Sequence, residues 1–171
     1  MATNSSRRTF LTSAPLAAAA AIVPATGKVL FAQAADRQPF ELITAEKLSD
    51  EIKKVQAAPG DDNLYASPAL PFTMVLTSEG KKAAKEFEWH EGRDHIFQVL
   101  DGSTLYEVGG KPKGGHSTKS QEWLAPASEG STTYTLHKGD MLVIPRNTPH
   151  KRTTDASVTL ILISTTGQAA V

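Results

Sequence analysis

The chain has 171 residues, with 18 basic and 18 acidic side chains and a formal charge of zero. That balance excludes a dedicated nucleic-acid binder, which carries a net basic domain, and the length allows one domain or one domain with a tail. The absence of cysteine excludes disulfides, thiolate metal sites and a cysteine nucleophile, so any metal is left to histidine and carboxylate.

No acid precedes Asp36. Arg7-Arg8-Thr9-Phe10-Leu11 leads into an uncharged, alanine-rich run to Gly27, and Ala32-Gln33-Ala34 is a small-x-small cleavage site. This is the layout of a secretory signal peptide, and the paired arginines before Phe-Leu resemble a twin-arginine export signal. An uncleaved anchor is the competing reading, because Thr9 to Gly27 is about long enough to span a bilayer. Pro15, Pro24 and the Thr and Ser residues make that run weakly apolar and favour cleavage. The expected division is a cleaved signal over 1–34, an N-terminal extension with a helix over 35–66, and a barrel over 67–166. Without Arg7, Arg8 and Lys28 the exported chain keeps 15 basic and 18 acidic side chains, too small an imbalance to imply a charged partner. It is expected to be periplasmic or secreted, with no stable membrane insertion and no nucleic-acid partner.

Ile43 to Ala57 has the helical period. Leu48, Ile52 and Val55 fall at i, i+4 and i+7, Thr44 caps the start, and Pro59-Gly60 ends it. Asp61-Asp62-Asn63 reads as a turn. From about Ser67 onward the pattern is β, with strands predicted at Phe72–Thr77, Ala84–His90, His95–Leu100, Thr104–Val108, Ser131–Leu136, Met141–Ile144, His150–Thr154 and Ser157–Ser164. Short strands punctuated by Gly, Pro and Asp argue for an antiparallel sandwich or barrel. Gly109 to Gly115 reads as a mobile loop. A barrel of this size can enclose a ligand cavity; a plain immunoglobulin-like sandwich is the competing fold.

The five histidines are His90, His95, His116, His137 and His150. Glu88 and His90 share one face of a strand, with Phe87 and Trp89 on the other. A tight turn, Glu91-Gly92-Arg93-Asp94, is expected to bring His95 back across from His90 as a hairpin, and His150 follows Pro149 at the head of a later strand. Three imidazoles and a carboxylate converging on one point suit an octahedral first-row metal with two open positions. Fe, Mn, Ni and Zn fit such donors better than Ca. His116 and His137 read as surface residues. Lys81, Lys82 and Lys85 read as a solvated flank, and Phe87 and Trp89 as packing residues. Arg93 and Arg152 read first as ion-pairing residues and second as holders of a substrate carboxylate.

Gly139-Asp140-Met141-Leu142-Val143-Ile144-Pro145-Arg146-Asn147-Thr148-Pro149-His150 resembles the second motif of the cupin superfamily. That motif is a Gly, five residues, a Pro, one residue, usually a Gly, two residues and a metal-ligating His. Asn147 stands at the usual Gly, and Thr154 stands at the Asn usual after three further residues. The first motif is matched by Glu88-x-His90, four residues, His95, six residues, Gly102, with Glu and His exchanged at two ligand positions. The turn at Phe97 to Gly102 is similar to the family's as well. The resemblance runs from Phe72 to Ser164. It implies an all-β fold, a cupin-type double-stranded β-helix or jelly-roll barrel, with one N-terminal helix outside it. It also implies a divalent transition metal held by His90, His95, His150 and Glu88, a small-molecule ligand or substrate, and a homodimer.

One fold hosts many chemistries. Two functional readings follow: a metal-dependent enzyme on a small oxygen-bearing molecule, of dioxygenase or of isomerase or lyase type, or a non-catalytic periplasmic binder of a sugar or metabolite. In the first, Glu88 serves as a ligand or as a general base beside the metal.

Overall fold

The computed structural model describes residues 41–67, 70–84 and 86–167. The expected export signal and Lys85 lie outside the described residues. Among these residues no helix is long and apolar enough to cross a membrane. One helix, α1 (Ala45–Ala57), precedes the strands β1 (Gly60–Ala66), β2 (Phe72–Glu79), β3 (Lys82–Ala83), β4 (Phe87–His90) and β5 (Arg93–Val108). The short strands β6 (Lys111–Lys113), β7 (His116–Lys119), β8 (Glu122–Ala125) and β9 (Ala127–Glu129) follow. Then come β10 (Thr132–His137), β11 (Met141–Ile144), β12 (His150–Thr154) and β13 (Val158–Thr166).

The strand pairing is antiparallel throughout and organised around β5. Its first half pairs with β13 and β11, and its second half with β10 and β12. Beyond β13 the sheet continues through β2 to β1, and beyond β12 through β4 to β8 and β7. The two halves of β5 meet at Gly102, whose φ is +75°. A Cβ there would lie 2.2 Å from the Ser157 carbonyl oxygen, so only glycine fits. Two strands were expected where one bent strand serves both sheets.

Between the sheets lies a core of Phe97, Val99, Tyr106, Leu136, Ile144, Val158 and Leu160. A second cluster sits on the outer face of the β2–β13 side. There Leu48, Ile52 and Val55 of α1 pack with Leu76 and Ile161. Fully burying an aliphatic side chain such as Val55 contributes about 1.5–3 kcal/mol, and the partly buried Leu48 and Ile52 add less; together they hold a helix too short to be stable alone. Thr44 caps α1 by accepting from the Lys47 backbone N–H at 3.1 Å, so the helix begins where its cap residue predicts.

Four expectations are corrected. Asp61-Asp62-Asn63 is no turn but part of β1, an edge strand on which Asp61 accepts from the Thr77 hydroxyl at 2.7 Å and Asp62 pairs with Lys54. Pairing with β2 and these side-chain partners override the turn preference of Asp and Asn. Gly109 to Gly115 is no free loop, because Lys111–Lys113 pairs with Ala127–Glu129. The sequence there lacks alternating apolar residues, so the pairing left no signature. The strand expected over Ala84–His90 is shorter, β4 alone, with the two-residue β3 ahead of that range, and both pair with β12. Finally, Glu91 and Gly92 do not close a hairpin. β4 pairs with β12 and β8, and the first half of β5 with β13 and β11, so the corner carries the chain from one sheet to the other.

Candidate metal centre

That corner is what brings the histidines together. His90 ends β4, His95 lies near the start of β5, and His150 opens β12. Asn147, with φ 63°, takes the left-handed turn conformation, and its N–H donates to the His90 carbonyl at 2.8 Å. The turn before His150 is thereby tied to the end of β4. Ring centroids are 4.6 Å apart for His90 and His95, and 5.5 Å apart for each with His150. All three residues are buried, and each offers a nitrogen within 4.8 Å of the other two.

The ring partners decide which nitrogens are free. His150 Nδ1 donates to the Thr148 carbonyl at 2.9 Å, leaving Nε2 as the lone-pair nitrogen. His90 Nδ1 lies 2.6 Å from Glu122 Oε2 and donates to it, which leaves its Nε2 with the lone pair. Arg93 Nη2 donates to the same Glu122 oxygen at 3.0 Å. It is also 3.0 and 3.5 Å from the two His90 ring nitrogens. His95 has no hydrogen-bond partner on either ring nitrogen, and His150 Nε2 has none. Burial, with the neighbouring His150, His90 and Arg93, pushes His95 down to about 3. Burial also lowers His150, against the opposing pull of the Thr148 carbonyl and Glu88. Both are therefore neutral at physiological pH, the state in which an imidazole offers a lone pair to a metal.

A buried polar atom without a partner costs free energy, and such atoms are rare in folded proteins. Here several of them point at one another. A divalent cation fits this donor set, because it meets the open lone pairs, and imidazole nitrogen suits first-row metals.

The remaining expected residues divide. Glu88 sits opposite His150 in the β4–β12 pairing, with Oε1 3.6 Å from His150 Nε2 and its side chain half exposed. It stands at the mouth of the cluster, outside the group of three histidines. Arg93 is engaged with Glu122. His116 and His137 are exposed, and His137 is 3.8 Å from Asp140. Phe87 lies under the Lys151 ammonium, and Trp89 stacks on Trp123. Glu122 was missed by sequence reasoning. It lies 32 residues beyond His90, on a strand with no apolar alternation, and only the β4–β8 register sets the two side by side.

A cavity of about 670 Å³ opens beside the histidines. His95, His150 and Glu88 line one part, Phe97, Tyr106 and Leu162 give apolar wall, and Arg152, Glu79 and Lys82 line another part. Burial pushes the Tyr106 hydroxyl up to about 12, so it stays protonated.

No protein-family model matches the chain, and no curated protein does. Solved structures do. The protein BH2720 of Bacillus halodurans is similar over 80% of this chain and 87% of its own, with a TM-score of 0.53 at 17% identity. A cupin-like protein of Thermotoga maritima covers 61% of this chain and 66% of its own, with a TM-score of 0.44 at 22% identity. KdgF from a Halomonas species covers 63% and 80%, with a TM-score of 0.45 at 18% identity. The fold is a cupin-type jelly roll. At these identities the likeness is one of fold, and the site must speak for itself.

Proposed function

We propose that this chain is a metal-binding cupin and a metal-dependent enzyme acting on a small oxygen-bearing organic molecule. The observation that carries the reading is the convergence of three buried imidazoles, two of them with unpartnered nitrogens. A purely structural cluster would close those atoms with hydrogen bonds, as the other buried side chains among the described residues do, Arg93 Nε apart.

His90, His95 and His150 would hold a first-row divalent cation, Fe, Mn, Ni or Zn. When bound, it supplies Lewis acidity and open coordination positions for substrate oxygens or dioxygen. Glu122 fixes the His90 tautomer through Nδ1, and the Thr148 carbonyl fixes that of His150. Glu88, half exposed and 3.6 Å from His150 Nε2, would take a proton from a ligand at the mouth of the cluster, a role its distance and exposure support. Phe97, Tyr106 and Leu162 give the adjoining wall an apolar surface. Dioxygenase chemistry is the leading type, with isomerase or lyase chemistry next.

The test is elemental analysis of protein purified without added metal, beside His90→Ala, His95→Ala and His150→Ala variants. Near-stoichiometric transition metal in the parent and background levels in the variants are expected. A folded parent that refuses all added divalent ions would remove the metal reading and leave a metal-free binding protein. We further propose that the chain is exported by a twin-arginine signal. Replacing Arg7-Arg8 by Lys-Lys should block export, and normal export of that variant would refute this.

A further inference from the structure

We propose that the ligand of this cavity carries a carboxylate remote from its metal-binding oxygens, and that Arg152 holds that carboxylate. The inference rests on the metal reading above and adds the chemical class of the ligand. Arg152 follows His150 by two residues on β12, so both side chains leave the same face of the strand. Their Cα atoms are separated by roughly 7 Å, two strand residues. Both residues line the one cavity.

The guanidinium is only partly committed. Its Nη2 donates to Glu79 at 2.8 Å, and Nη1 reaches the Tyr106 hydroxyl at a long 3.4 Å. A guanidinium has five N–H donors in a planar fork that matches a carboxylate. Those two contacts leave three donors, and the side chain is about one-fifth exposed.

Charge points the same way. Glu79 is shared by Arg152 and by Lys82 Nζ at 3.3 Å, and Thr154 donates to it at 2.7 Å. One carboxylate thus meets two cations, so although Asp61 and Glu86 also line the cavity, the positive excess is local to the Arg152 contact. The histidine part carries the opposite feature, Glu88, which repels an anion unless a cation is bound beside it. The cavity therefore favours a ligand with oxygens for the metal at one end, a short apolar body along Phe97 and Leu162, and a carboxylate at Arg152.

The test is calorimetric titration of the full-length protein, metal-loaded and metal-free, with glutarate and with its monocarboxylate counterpart valerate. The Arg152→Gln variant and the double variant Glu79→Gln/Arg152→Gln, which removes both members of the ion pair, are titrated in parallel, with metal content and circular dichroism recorded for each. Glutarate should bind the metal-loaded parent at least tenfold more tightly than valerate. Losing Arg152 should weaken glutarate about ten- to a hundredfold, the scale of a charge-assisted contact, and leave valerate unchanged. The double variant should show the same loss if Arg152→Gln misfolds. Equal binding of the two acids, an Arg152 effect on both alike, or no glutarate binding at all would overturn the proposal. A failure to load metal would show in the metal content and would count against the metal reading. On such protein the Arg152 contact is read from the metal-free titrations with valerate, whose one carboxylate then has only Arg152 to bind: loss of valerate binding in Arg152→Gln supports the carboxylate site, and binding unchanged by that substitution, or absent from the parent, overturns it.

Discussion

Thr104 and Thr154 are as deeply buried as His95 and His150, yet the two pairs are finished in opposite ways. Thr154 donates to Glu79 at 2.7 Å and lies 2.9 Å from the Thr104 hydroxyl, and Thr104 donates to the Thr153 carbonyl at 3.0 Å. Thr159 and Ser78, also buried, bond each other at 3.2 Å. Every one of these hydroxyls is satisfied from within the chain. The buried side-chain atoms without partners among the described residues are Arg93 Nε, both ring nitrogens of His95 and Nε2 of His150. They belong to one small region. Where polarity serves only the fold, the protein closes it; beside the histidines, closure is left to something that enters from outside.

Metal addition should make the largest difference between the two regions. At a free metal concentration 100 times Kd the folded state gains about 2.7 kcal/mol, a rise of roughly 5–10 °C in Tm for a chain of this size. Scanning calorimetry with and without metal measures it, and no rise would place the open nitrogens in an unliganded pocket. A pair of substitutions sharpens the contrast by sign. Thr154→Val should destabilise the metal-free protein by about 1–3 kcal/mol, because it deletes a buried hydroxyl that bonds both Glu79 and Thr104. His95→Leu, of similar volume, should leave the metal-free protein unchanged or more stable, because it removes two stranded nitrogens. Urea unfolding reads both, and loss of stability in His95→Leu would mean that the imidazole has partners of its own.

Glu122 offers a smaller effect. Glu122→Leu should weaken metal binding about ten- to a hundredfold, the usual cost of losing the carboxylate behind a ligating histidine. Competition with a chelator would measure it, and an unchanged affinity would leave the Glu122–His90 contact a purely structural one.

The pH dependence is the gentlest probe. His95 titrates near 3 in the folded protein and near its ordinary 6.5 when unfolded. The unfolded chain therefore takes up the proton first. Stability of the metal-free protein should be full above about pH 6.5 and fall progressively as the pH drops toward 3. Asp94, held well below the usual carboxylate range by its hydrogen bonds from Arg146, adds to the loss below about pH 4. Urea midpoints between pH 7.5 and pH 5 should fall less steeply in His95→Leu than in the parent; parallel slopes would take His95 out of the account.

What was legible in the sequence was whatever repeats with a period or stands at a fixed spacing. The helix announced itself by Thr44 and by Leu48, Ile52 and Val55. The β-rich second part showed in its alternation, and His90, His95 and His150 stood at spacings that only a particular corner and turn could make neighbours. What stayed hidden depended on pairing between distant segments. Lys111–Lys113 and Ala127–Glu129 carry no apolar rhythm, and Asp61 to Asn63 wears the composition of a turn. Glu122 is an ordinary surface-like glutamate until β8 is laid against β4. Glu88 shows the limit from the other side: its place on the strand beside His90 was readable, but not its pairing opposite His150 or its stand at the mouth, half in solvent.

β5 has a consequence in time as well as in space. This single strand of 16 residues carries His95, bends at Gly102, and is hydrogen-bonded to β10, β11, β12 and β13. No small opening can expose the floor of the cavity, because each half of β5 is paired on both sides, to β13 and β11 or to β10 and β12, so that freeing it means parting two ladders at once. The amides flanking His95 should therefore exchange with deuterated solvent only when the whole domain unfolds. Traffic into and out of the site is left to the cavity mouth, while the scaffold behind the histidines stays shut for as long as the protein remains folded.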